Sequence, residues 1–179
     1  MSTSPILESK DPSDRKDYSI DWADLLSAES ETAITSSYWG DRSAPDLVSD
    51  GAGGVSSAAS PFTAADVGRT LQILLAGTGF TPGAYTISSV TSNGVATLNS
   101  SPGASKSGGT WQLLHASDPL GMTVETAAPY ASTIVGTVCL VWVSGGVAGT
   151  RYNLINSIIT AGITPRLHQR TITIPCVPR

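Results

Sequence analysis

The sequence predicts an all-β protein, an antiparallel β-sandwich interrupted by a second small β-sandwich or barrel-like module. Three observations carry that prediction. Between Gly136 and Val177, three runs of β-formers are separated by breaks containing Gly or Pro. Residues 44–116 have a different texture, with shorter alternating segments bounded by turn residues. Charged residues make up only 13% of the 179 against 40% hydrophobic, so Gly, Ser, Thr and Ala fill places that Lys and Glu usually hold. Such a composition suits short strands, tight turns and Thr/Ser-covered sheet faces. No long helical periodicity and no internal repeat is present in the sequence.

Residues 1–16 are polar and contain the most charged run, Lys10-Asp11-Pro12-Ser13-Asp14-Arg15-Lys16, which reads as a solvated or flexible N-terminal arm. Lys10 and Asp11 in this arm are candidate partner contacts. Asp17-Tyr18-Ser19-Ile20-Asp21-Trp22 alternates with period two and predicts a half-buried strand with Tyr18, Ile20 and Trp22 on one face. Ala23-Asp24-Leu25-Leu26 fits one helical turn or a corner. After the polar connector 27–31, the segment 32–39 reads as a second strand. It ends in Tyr38-Trp39, a candidate exposed contact beside the interruption.

The interrupting module runs from 44 to 116 and offers four or five short strands. They fall within 64–74, 83–90, 95–98 and 110–114, with Ser92-Asn93-Gly94-Val95 as a hairpin turn signal. A module of ~70 residues can fold alone, though marginally. Trp111 serves either as core filler or, if exposed, as a stacking surface for a glycan.

The host sandwich, 17–43 plus 117–179, resumes at Asp118-Pro119-Leu120-Gly121. A further strand comes from 122–126 or 132–135. Thr137–Val143, Arg151–Thr160 and the run from Thr171 to Val177 then read as an antiparallel meander, its first two strands joined by a hairpin over 144–150. In the middle strand Tyr152, Leu154 and Ile158 share a buried parity, while Asn153 and Ser157 share a wet one. Trp22 and Trp142 are expected in the core.

The formal net charge of −4 argues against nucleic acid as a partner, because no basic field is available for phosphates. No apolar run approaches the ~20 residues that cross a bilayer. The N-terminus has no apolar h-region, so a soluble chain outside the signal-peptide route is expected. Cys139 and Cys176 are two reduced core thiols, or a bridge if their strands face each other across two sheets. His115 and His168 lack the neighbours of a catalytic or metal-binding histidine and are expected at the surface. The closely spaced glycines at 144–149 and 77–79 lead into no helix, and so form no phosphate cradle. Asp21/Asp24 and Glu29/Glu31 are local pairs rather than carboxyls converging from separate elements. Hence no residue is assigned to catalysis, to a cofactor or to a metal, and an enzyme is not expected.

The host pieces resemble the fiber-tail adaptor proteins of tailed bacteriophages. The resemblance is carried by Lys10-Asp11-Pro12, Asp17-Tyr18-Ser19-Ile20-Asp21-Trp22-Ala23-Asp24-Leu25-Leu26 and Ile34-Thr35-Ser36-Ser37. It resumes at Gly136-Thr137-Val138, Val141–Tyr152 with the turn Ser144-Gly145-Gly146-Val147-Ala148-Gly149-Thr150, and Ile158-Ile159-Thr160. It implies an Ig-like sandwich in a structural protein of the virion tail, made in the cytoplasm of the host bacterium. Implied partners are phage tail or adaptor ring proteins, the tail fiber protein and copies of the chain itself, with no nucleic acid and no membrane. That group joins its halves by a short segment, whereas residues 44–116 intervene here. The intervening segment resembles small β modules that decorate phage fibers, through Phe62–Leu71 and Tyr85–Val90. The alternative expectation is a capsid-decoration or host-glycan-binding β module.

Overall fold

The computed structural model describes residues 8–75, 79–114, 121–162 and 164–178. The chain is all-β, with twelve strands and one short α-helix among the described residues. It divides into two compact units, Met1–Trp39 with His115–Arg179, and Gly40–Leu114. His115 and the return segment Asp118-Pro119-Leu120 lie outside the described residues.

In the first unit, Lys16–Asp21 forms β1 and Ala23–Ala28 forms α1. Ile34–Ser49 forms β2, whose first part, to Trp39, belongs to this unit. Met122–Val124, Thr133–Val135, Val138–Gly145, Arg151–Thr160 and Leu167–Pro175 are β8 to β12. Both segments offered for the further strand are therefore strands. One sheet has the order β1-β10-β8, with β9 also pairing β10. Strand β11 pairs β12 and β2 in another sheet.

This division corrects the predicted meander. The β11–β12 pair is the expected antiparallel hairpin, but β10 pairs β1, β8 and β9 rather than β11. Residues 145–150 are thus a corner that carries the chain from one sheet to the other. Gly145 (φ 68°), Gly146 (φ 113°) and Gly149 (φ 83°) adopt conformations that L-residues rarely reach, which lets the chain turn out of its first sheet. At Gly146 a Cβ would lie 2.8 Å from the Cys176 sulfur, so a side chain is excluded there on space as well.

The two inner faces share one core. Tyr18, Ile20, Trp22, Cys139, Val141 and Val143 pack with Trp39, Tyr152, Leu154, Ile158, Ile172 and Ile174. A buried polar lock spans it: Trp22 Nε1 donates to Asn156 Oδ1 at 3.0 Å. Asn156 Nδ2 in turn donates to Ser37 Oγ at 2.7 Å and to the Tyr38 carbonyl at 3.2 Å. Ser157, expected to be wet, is fully buried and accepts from Gln169 Nε2 at 2.8 Å. Trp142, expected in the core, is only half-buried, because the inward parity of β10 is taken by Cys139, Val141 and Val143. Both cysteines are free, buried thiols, and burial pushes their pKa values up.

The second unit contains the remainder of β2, then β3 (Gly54–Ser56), β4 (Thr70–Leu75), β5 (Gly83–Val90), β6 (Ala96–Leu98) and β7 (Lys106–Leu114). The pairing runs β2-β3-β6-β5-β4-β7 and returns from β7 to β2, closing a six-stranded antiparallel barrel. Closure gives each strand a partner on both sides of the ring. Pro45, which cannot donate to a ladder, falls where the β2–β7 register shifts between Ala44 and Leu47. Leu47, Leu71, Ile73, Ile87, Trp111 and Leu113 fill the interior, with Phe62 and Phe80 against them. The turn predicted at 92–95 is present, with Gly94 at φ 75° donating its N–H to the Thr91 carbonyl.

A charged network sits on this barrel. Asp66 is 2% exposed and pairs with Arg42 and, at 3.4 Å, with Arg69. Its Oδ2 also accepts from the Thr63 N–H at 2.8 Å. Burial pushes the Asp66 carboxyl up, but the Thr63 and Arg42 donors outweigh it and hold its pKa below the ordinary carboxylate value. Arg69 extends the network to Asp41 at 2.8 Å and to the Leu114 carbonyl at 3.1 Å.

Candidate interaction surface

The structure puts several of the predicted contact residues to internal use. Lys10 is 1% exposed, and its ammonium donates to the carbonyls of Asp11 and Gly145, each at 2.7 Å. Its backbone N–H donates to the Pro175 carbonyl, and its own carbonyl accepts from Val177 N–H, each at 2.9 Å. Burial lowers the Lys10 pKa, partly offset by Cys176, Asp14 and Asp11. The expected solvated arm is therefore, from Lys10 onward, tied to the 145–150 corner and to the C-terminal strand. Asp11 is half-buried and accepts from Ser13 N–H at 2.8 Å and Ser13 Oγ at 2.6 Å, which fixes a local turn.

Trp39 is 5% exposed and belongs to the first core, so its ring offers no contact, while Tyr38 beside it is half-buried. The parity of β2 decides this. Trp111 is fully buried in the barrel with its ring centroid 4.9 Å from that of Phe62. It has no face for a sugar. His168, expected at the surface, has a side chain 15% exposed, with Nε2 3.5 Å from Glu29 Oε2.

Other residues present themselves instead. On the outer face of the first sheet Trp142 meets Tyr130 edge-on at 5.2 Å, and the Arg15 guanidinium lies 4.1 Å over the Tyr130 ring. Glu125 anchors this stack, accepting from Ser144 Oγ at 2.5 Å and from Arg15 Nε at 3.2 Å. The Ser144 hydroxyl, followed by Arg15, holds the Glu125 carboxyl below its ordinary pKa. At the start of β10, strand β9 is exposed along its length, with Ile134 at 37% and Val135 at 70%. Its one pairing among the described residues is to β10, so its other edge presents free backbone groups beside apolar side chains. Val147 on the corner and Val177 near the C-terminus add apolar surface at the other end of β10. Sequence reasoning missed this surface because a valine in a β-former run looks the same whether its strand is central or at an edge.

Among the described residues no group of three or more His, Cys, Asp or Glu could hold a metal ion. Asp21, Glu29, Asp46, Asp66 and Glu125 all have lowered pKa values, each held as an ionised acceptor. A general acid would need the opposite shift.

Residues 96–175 match a family described as Podophage GP4 fiber-tail adaptor protein gp77. The match begins at the first residue of β6 and ends at the last residue of β12, so it covers strands of both units. It takes in the 144–150 corner, the exposed β9 edge and the Tyr130–Trp142 pair with Glu125, but not Arg15 or the other N-terminal residues among 10–37 that carry part of the resemblance. No curated protein matches the chain.

Proposed function

We propose that this chain is a structural component of a tailed-phage virion that docks in several copies on the tail or portal-proximal assembly and holds tail fibers there. The observation that carries this reading is the match of residues 96–175 to a fiber-tail adaptor family. Supporting it is the division of surfaces between the units. Among the described residues each barrel strand has a partner on both sides of the ring, whereas the first unit offers the β9 edge with Ile134 and Val135. Strand addition along such an edge gives main-chain hydrogen bonds to a neighbouring subunit, and the Ile134 and Val135 side chains add apolar burial. The first unit accordingly makes the docking contact, and the barrel is left to face a fiber or a neighbouring copy.

Immunogold labelling of source particles with an antibody against residues 44–114 tests this. Label at the tail, near the fiber roots, is the expected result. Label spread over the capsid would replace the adaptor reading with decoration.

A further inference from the structure

The sheet built on β10 has β1 at one edge and β8 and β9 at the other, and the two edges are finished differently. Strand β1 carries the exposed carboxylates Asp17 and Asp21. From β12, Arg170 Nη1 donates to the Asp21 carbonyl at 2.8 Å, and its guanidinium lies 4.6 Å over the Trp22 ring. Charge on an edge strand, and a side chain that takes up one of its carbonyls, both oppose pairing with another chain.

Strand β9 carries no such guard. Every residue from Ser132 to Gly136 is exposed, and no Asp, Glu, Lys or Arg occurs between Glu125 and Arg151. The edge is also self-complementary. Laid antiparallel against its own copy with Ile134 on the twofold axis, it sets Ile134 against Ile134. Thr133 of each copy then meets Val135 of the other. Such β-branched residues are favoured in strands, where cross-strand contacts are made. Ser132 falls against Gly136, so small residues flank the pair. Net charge points the same way. Two chains of formal net charge −4 repel one another, and they do so least where the facing segments are uncharged.

We propose that β9 pairs antiparallel with β9 of a second copy of this chain, joining their sheets across a twofold axis. The inference rests on the edge-addition reading above and names the neighbour. The contact is isologous, with the same patch used on both sides. A strand of three residues buries little surface. Pairing is therefore weak for the free chain and gains strength where copies are held side by side on one assembly.

The test is sedimentation velocity of the full chain at increasing protein concentration, where a reversible dimer is expected. Val135→Lys puts on the edge the residue type that natural sheets use to block it, and should weaken dimerisation about tenfold or more. Adding Thr133→Glu to Val135→Lys sets a carboxylate against an ammonium twice across the axis and should restore the dimer. Both positions are exposed, so the variants keep the fold, as an unchanged near-UV circular dichroism spectrum shows. A wild-type chain that stays monomeric throughout would overturn the pairing. So would Val135→Lys dimerising like wild type, or a double variant no better than Val135→Lys. The particle labelling reports separately on docking. Tail label with a monomeric chain defeats the pairing alone, and a dimer with capsid label defeats the docking reading alone.

Discussion

The two units bury cores of similar make-up but close them differently. In the first, open sheets face each other and are joined through a buried amide, Asn156, bonded to Trp22, Ser37 and Tyr38. In the second, the sheet closes on itself, and the buried polar element is a charged network around Asp66. An open sandwich keeps edges that can pair with other chains, and a closed ring does not. Among the described residues, the strand edge bordered by exposed apolar side chains is that of β9, in the first unit.

Replacing Trp111 with Ala should sharpen this contrast most. It removes the largest fully buried side chain of the barrel and its contact with Phe62, at a cost of about 4 kcal/mol. Indole fluorescence with hydrogen exchange should show loss of protection in β4–β7 while β10–β12 stay protected. Equal loss in both units would show that they unfold as one. Next, Asp66→Asn should cost about 3 kcal/mol, since Arg42 and Arg69 lose a buried counter-charge.

The Asp66 pKa is depressed in the folded state. Its stabilisation is therefore fully present above the unfolded carboxyl value, near ~3.9. It is lost as pH falls from there through the folded value, where the unfolded chain binds the extra proton. Urea titrations between pH 3 and 6 should show the wild-type barrel weakening toward the acid end and Asp66→Asn losing that part of the slope.

Smaller effects test the first unit. Asn156→Ala leaves the Trp22 indole N–H without its acceptor and should lower stability by about 2 kcal/mol. Gly146→Ala puts a methyl at φ 113° against the Cys176 sulfur, with an expected loss of about 1–2 kcal/mol. Thermal unfolding followed by near-UV circular dichroism measures both, and a neutral Gly146→Ala would show that the corner can relax.

How far the sequence reaches is clearest at particular residues. Period-two alternation placed Tyr18, Ile20 and Trp22 on one buried face, and Tyr152, Leu154 and Ile158 on another, because parity along a strand is a local property. Turn chemistry gave the hairpin at Gly94 for the same reason. Which sheet each strand joins is not local. The Gly145–Thr150 segment could equally close a hairpin or arch between sheets, and only the partners of β10 settle that it arches. Parity also does not say whether the second face of a strand meets water. Ser157 is covered by the next strand, and Trp142, on the other parity of β10, turns outward.

The interaction surface was least legible of all. Lys10 carries a charge that suggests solvent, yet two carbonyls brought together from residues 11 and 145 satisfy it inside the fold. Glu31 reads from the sequence as one of a local carboxylate pair in a polar connector, and only the fold sets Gly162, distant in sequence, against it. Sequence by itself determined the all-β class, the place of most strands and the buried parity at Tyr18, Ile20, Trp22, Tyr152, Leu154 and Ile158, since these follow from residue-level sterics and periodicity. Tertiary structure alone decided sheet membership, barrel closure and which polar groups are buried, because these depend on what lies across from a residue, at sequence separations where no local pattern reaches.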